Sequence, residues 1–243
     1  MRVKAVIEYL GTAFAGWQVQ PNQPTVQAAL EKAVTVAVGE RTRVEGAGRT
    51  DAGVHALGQV AGFDVPDDTD LYRLRASLNG LTPPDISVVD LAEVGDGFDP
   101  RRDARMRSYR YTIVNARPPS PLLNGRSWHV YPLIELALVA RLAKALKGPH
   151  DFGAFRASDC QSDTTVREVH HSTWTRDDHL LTYDISANAF LKQMVRVLVG
   201  SMVDVALGKL DEDEFLGLLE GGDRTEAGRT APAEGLMLVS VDY

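Results

Sequence analysis

Cysteine is almost missing from this chain: Cys160 is the only one in 243 residues. No intramolecular disulfide can form, and neither a thiolate zinc site nor a redox pair can be assembled from one chain. Such usage suits a reducing cytosol. Long apolar runs are missing too. Met1 to Glu8 alternates in polarity instead of forming the apolar stretch of a signal peptide, and no run approaches the ~20 residues needed to span a bilayer. The expected location is cytoplasmic. Positive charge is in deficit, with 26 Lys and Arg against 33 Asp and Glu, a net charge of −7. That balance argues at first against a polyanionic substrate, because phosphate neutralisation supplies most non-specific nucleic-acid affinity. The six histidines are scattered, and the adjacent His170-His171 pair falls on an expected strand, where neighbours point to opposite faces. One metal could not easily use both, so no metal site is assigned. Gly221-Gly222 reads as a loop and not as a phosphate cradle.

What the chain does contain is an ordinary globular mixture, 44% hydrophobic and 24% charged residues, enough for a substantial core. Its length fits two modest domains or one large one. The charge is unevenly spread. Carboxylates gather in Asp64 to Asp70, Asp177-Asp178 and Asp211 to Glu214. Arg101, Arg102, Arg105, Arg107 and Arg110 crowd one segment, and Arg41, Arg43 and Arg49 another. A basic groove on an acidic body is compatible with this distribution.

Period-2 alternation predicts a strand over the first residues, with Val3, Ala5, Ile7 and Tyr9 inward. Thr25 can cap a helix carrying Val26, Ala29, Leu30, Ala33 and Ala37. Thr42 to Glu45 and Gln59 to Asp64 read as strands on either side of a Gly-rich stretch. A second helix is expected after Asp70, with Leu71, Leu74 and Leu78 on one face and Asn79-Gly80 as terminator, and Ile86 to Val94 completes a β-α-β-β-α-β order. The pattern then restarts: Met106 to Val114 a strand, Glu135 to Lys147 a helix, Val166 to Thr175 and Leu180 to Ala187 strands, Phe190 to Leu207 a long helix, Asp211 to Leu219 a shorter one and Leu236 to Tyr243 a closing strand. The expected fold class is α+β, with two similar ferredoxin-like (RRM-like) halves, mainly antiparallel sheets and a central cleft. The expected domains are 1–103, carrying the Gly-rich loop, and 104–243.

The stretch Gly46 to His55 is the most informative. A tight turn in which Asp51 caps local backbone accounts for an arbitrary Gly-Asp loop, and Arg49 with Asp51 could be no more than a surface ion pair. Arg49, Asp51, His55 and Gln59 together carry more hydrogen-bonding capacity than a simple turn uses. Gly48-Arg49-Thr50-Asp51-Ala52-Gly53-Val54-His55 followed by Gly58-Gln59-Val60 closely resembles the active-site motif of the tRNA pseudouridine synthase A family. The resemblance extends over essentially the whole chain: Glu8 to Thr12 with Gly16-Trp17-Gln18, Ser108 to Tyr111, Phe152 to Arg156, Asn188 to Leu191, Met194-Val195-Arg196, Gly200-Ser201 and Ala233 to Leu236.

The resemblance implies a pseudouridine synthase fold and the isomerisation of uridine to pseudouridine at positions 38 to 40 of the tRNA anticodon stem-loop, by a homodimer and with no cofactor. It implies Asp51 as the catalytic nucleophile, Tyr109 as the aromatic that stacks on the target uracil, and Arg196 as the basic partner of the aspartate. Arg49 is a further candidate for substrate binding, and Arg101, Arg105 and Arg156 for RNA binding. Two departures bear on docking. Many members carry Phe-His-Ala-Arg where this chain has Phe98-Asp99-Pro100-Arg101, and Phe190-Leu191-Lys192-Gln193 lacks the histidines of some relatives. On an expected helix, Lys192 and Arg196 would share a face at i and i+4. Two readings from other classes compete: a non-catalytic RRM-like RNA-binding protein, which would need an aromatic stacking signature, and a carboxylate glycoside hydrolase, which would usually need a second acid.

Overall fold

Val3, Ala5, Ile7 and Tyr9 are the buried side of β1 (Arg2–Tyr9), each at most 3% exposed. In the computed structural model, which describes residues 1–243, this strand lies at the heart of one of two units. The first comprises Met1–Arg105 with Met237–Tyr243, and the second Met106–Leu236.

In the first unit β1 is followed by α1 (Val26–Val38), β2 (Glu45–Gly46), β3 (His55–Asp64), α2 (Leu71–Leu81) and β4 (Ile86–Val94). β1 pairs antiparallel with both β3 and β4, and β2 pairs with the far end of β3. Thr25 caps α1 by accepting the Ala28 N–H, and Asp70 caps α2 by accepting the Arg73 N–H. Such caps are worth ~1 kcal/mol each. The two helices pack against each other, and α2 lies against β4.

Three expectations shift here. The strand expected over Thr42 to Glu45 shrinks to Glu45–Gly46 because α1 side chains satisfy the backbone before it: Gln27 Nε2 donates to the Val44 carbonyl and Glu31 Oε1 accepts the Val44 N–H. The expected terminator Asn79-Gly80 lies inside α2, where the Asn79 amide bonds both the N–H and the carbonyl of Val88 on β4. β10 (Leu236–Asp242), expected with the second half, belongs from Met237 onward to the first unit, because Met237 and Leu238 pair in parallel with His55 and Ala56 of β3.

The second unit contains β5 (Met106–Val114), β6 (Trp128–His129), α3 (Leu136–Ala145), β7 (Gly148–Asp151), β8 (Val166–Asp177), β9 (Leu180–Ala187), α4 (Met194–Ala206) and α5 (Glu212–Gly217). The sheet runs β5-β9-β8-β7, antiparallel throughout, with β6 beside β5. α3 packs on β8, and α4 packs on both α3 and α5. The fold is thus mixed α+β with a mostly antiparallel sheet.

α4 begins at Met194, four residues later than expected, because Gln193 sits at φ 62° in the left-handed region. Lys192 is therefore off the helix and pairs with Asp159 at 2.5 Å, so the expected i, i+4 face with Arg196 does not exist. A register shift on β8 at His170 also breaks the strict alternation, and both His170 and His171 are exposed.

Candidate active site

The loop between β2 and β3 is held from behind by the segment that follows β1. Tyr9 Oη and Thr50 Oγ1 share a buried hydrogen bond of 2.7 Å. Trp17 N–H donates to the Thr50 carbonyl, and the Gly11 N–H donates to Nδ1 of His55 at 2.9 Å. Gln59, fully buried in β3, reaches back through Nε2 to the Gly48 carbonyl, and the Val54 N–H closes the turn onto the Asp51 carbonyl. Two glycines make this approach possible. A Cβ on Gly11 would lie 1.9 Å from the Val54 carbonyl oxygen, and one on Gly16, at φ 103°, 2.6 Å from that of Thr50. The result is a fixed turn in which Thr50 and Val54 face the core, Asp51 is half-buried and Arg49 is exposed. His55 and Gln59, read as surplus hydrogen-bonding capacity, are the loop's anchors.

Tyr109 sits half-buried on β5, opposite Ile185 of β9, with its ring packed edge-on at 5.0 Å and 83° by Phe190. Tyr111, two residues on, is wholly buried and donates its hydroxyl to the Pro232 carbonyl at 2.8 Å. Burial pushes that phenol far above its usual range. The two tyrosines, equivalent in the sequence, therefore divide: Tyr111 is core and Tyr109 presents a ring. Arg196 is half-buried in the first turn of α4, and its Nε donates to the Ala231 carbonyl at 2.8 Å. Sequence reasoning did not find Phe190's support of Tyr109 or the Ala231 contact, although both lie in or beside segments carrying the family resemblance.

The arginine run divides as well. Arg110 forms a bidentate pair with Asp184, directly opposite on β9, and Arg107 donates to the Asn188 carbonyl. Arg101, Arg102 and Arg105 are exposed at a turn of the first unit. Asp99 organises this turn: its Oδ1 accepts the N–H groups of Arg101 and Arg102 at 2.8 and 3.0 Å. Those bonds, Arg102's first, hold its carboxyl below the usual range. Tyr243 donates its hydroxyl to the Pro100 carbonyl, and the Arg105 N–H bonds to the Asp242 carbonyl, so the turn is fixed at both ends. Arg156 is half-buried in the second unit, just before Ala157, whose N–H bonds to the Lys192 carbonyl.

Comparison with known proteins gives a consistent answer. The family model for tRNA pseudouridine synthase matches residues 5–101 and 142–243. A "tRNA pseudouridine synthase A" of Geotalea daltonii is 44% identical over 99% of both chains. A protein of the same name from Myxococcus xanthus is 43% identical over all of this chain and 92% of its own. One from Ruminiclostridium cellulolyticum is 41% identical over all of this chain and 99% of its own.

Proposed function

The chain belongs to the tRNA pseudouridine synthase family and is an isomerase of tRNA uridine, and from that premise we propose that Asp51 is its catalytic nucleophile. The observation that carries the reading is the construction of the Asp51 turn. Tyr9, Trp17 and Gln59 bond to the turn, and Gly11 donates to His55 on its flank, so a half-buried carboxylate is presented from fixed backbone.

The reaction breaks the N1–C1′ bond, turns the uracil and joins C5 to C1′; N1 gains a proton and C5 loses one, with no redox change. A carboxylate can serve by attacking C1′, by adding to C6, or by removing the C2′ proton to form a glycal. Asp51 suits each route provided that it is ionised, and Arg196 is the proposed cation that keeps it so, since an opposite charge within ~4–6 Å favours the charged form. Tyr109 is proposed to stack on the extruded uracil. Its edge-on support by Phe190 leaves little freedom for the ring to collapse, and stacking of this kind is worth roughly 1–3 kcal/mol per base. Arg49 is proposed to contact the substrate beside the carboxylate. Arg101, Arg105 and Arg156 are proposed to contact phosphates, which position RNA without reading its sequence.

The proposed substrate is the anticodon stem-loop, with uridines 38 to 40 as targets, and the working species a homodimer in the cytoplasm. The test is tritium release from 5-[³H]-uridine-labelled unmodified tRNA, because joining C5 to C1′ must expel that label. Release by the wild type and none by Asp51→Asn supports the assignment; release by both removes Asp51 from the chemistry. Transcripts with uridine at only one of the three positions test the targets in turn.

A further inference from the structure

Arg196, Gly200 and Asp204 stand at i, i+4 and i+8 of α4 and so form one stripe along it. All three touch a single irregular segment, residues 224–232. A Cβ on Gly200 would lie 1.8 Å from the Arg229 carbonyl oxygen, so the segment's backbone rests directly on the helix. Ser201 Oγ accepts the Gly228 N–H at 2.9 Å while donating to the Val197 carbonyl. Asp204, whose side chain is 9% exposed, accepts the Arg229 N–H at 3.0 Å and both Nε and a terminal nitrogen of its guanidinium at 2.8 and 2.7 Å. Arg224 braces the segment internally through the Gly228 carbonyl and Thr230 Oγ1. Two residues beyond Arg229, the Ala231 N–H bonds to the Arg196 carbonyl, and the Ala231 carbonyl accepts Arg196 Nε. The Tyr111 hydroxyl then pins Pro232.

We propose that residues 224–232 are a positioning strap for Arg196, set in register on α4 by the Asp204–Arg229 ion pair. A guanidinium is a rigid planar fork, so a fixed acceptor on Nε sets the plane and hence the direction of the two terminal nitrogens. The Ala231 carbonyl is that acceptor, and its place depends on how the strap lies along the Gly200-Ser201-Asp204 stripe. Asp204 is thereby a positioning residue, acting through the strap and touching no reacting atom. The proposal rests on the reading that Arg196 is the cation of Asp51. Among titratable groups of the same unit, Tyr111 lies within electrostatic reach of Arg196 and Glu234 acts on that same phenol. Tyr111 stays protonated across the working range.

The experiment is tritium release against pH for the wild type, Arg196→Ala, Asp204→Asn, Ser201→Ala and the Arg196→Ala/Asp204→Asn pair, with thermal unfolding measured for each. The acid limb of kcat reports ionisation of the catalytic carboxylate. Arg196→Ala moves that limb up by about 1–3 pH units, the effect of losing an adjacent opposite charge. Asp204→Asn moves it the same way by a fraction of that, with KM within about twofold, and adds no further movement in the Arg196→Ala background. A purely structural defect scales the profile down without moving its limb. If Asp204→Asn does not fold, Ser201→Ala, which loses one strap bond, must show the same upward movement. A limb that moves in Arg196→Ala but not in the strap variants overturns the strap alone. One that stays still in Arg196→Ala overturns the reading of Arg196, and the strap with it.

Discussion

At the scale of single residues, the structure separates side chains that look alike in the sequence. Tyr109 and Tyr111 alternate on one strand, yet Tyr111 is fully buried with its hydroxyl committed to Pro232, while Tyr109 is half-buried against the edge of Phe190. If stacking is the role of Tyr109, Tyr109→Phe keeps most of the tritium-release rate, whereas Tyr109→Ala loses on the order of ten- to a hundredfold, the equivalent of roughly 1–3 kcal/mol per stacked base. Equal large losses would assign the role to the hydroxyl. Asp51→Asn preserves shape and removes the charge, so its turnover falls at least a thousandfold (~10³) with thermal unfolding and tRNA affinity nearly unchanged. The loop that carries Asp51 was legible as a connection between two strands. The setting of Arg196 was not legible, since only the fold brings Ala231 to its Nε. Lys192 was misplaced because a left-handed Gln193 leaves no mark in an apolar periodicity.

Elements defined by unbroken alternation could be read directly. Ile86–Val94, Met106–Val114 and Leu180–Ala187 are strands with the expected bounds, because each pairs along its length with a neighbouring strand. Where a side chain from another element decides the outcome, the reading failed: Gln27 and Glu31 capture the backbone of Val44, and Asn79 bonds across to Val88 instead of ending its helix. The Gly-rich loop shows the same dependence on distant partners. Close backbone approaches to it come from Gly11 and Gly16, which lie outside the loop in sequence. Gly16→Ala requires a side chain at φ 103° with its Cβ 2.6 Å from the Thr50 carbonyl oxygen, so it destabilises the fold by about 1–3 kcal/mol. It also lowers kcat through displacement of Thr50 and Asp51. Chemical denaturation together with single-turnover rates checks both effects, and wild-type kcat in a folded Gly16→Ala would show that Asp51 does not depend on this support.

For the whole molecule the difficulty is charge, because a chain of net −7 acts on a polyanion. Distribution resolves part of it. Arg110 pairs with Asp184, and Arg101, Arg102 and Arg105 stand exposed on a turn that Asp99, Tyr243 and Asp242 hold in place. Asp99 is a carboxylate beside these arginines; it is committed to the turn and pairs with Arg102 at 3.5 Å, which offsets its repulsion of phosphate. Its depressed pKa has the sign expected of such a cap: the cap is present above the ordinary carboxylate range and is lost only as pH falls through the lowered folded value. Asp99→Asn therefore retains an acceptor for the turn and binds tRNA at least as tightly as the wild type, whereas Asp99→Ala frees the turn and weakens binding severalfold. Salt titration extends the argument to the arginines. The affinity for tRNA falls with rising salt, and Arg101→Gln or Arg105→Gln each lower the slope of log K against log[salt] by roughly 0.7–0.9, the contribution of one phosphate contact. The loss should be similar for every tRNA tested, because phosphate contacts carry no sequence information. Slopes unchanged in both variants would mean that this turn stays in solvent when tRNA binds, and the cations that offset the acidic body would then have to come from elsewhere on the chain.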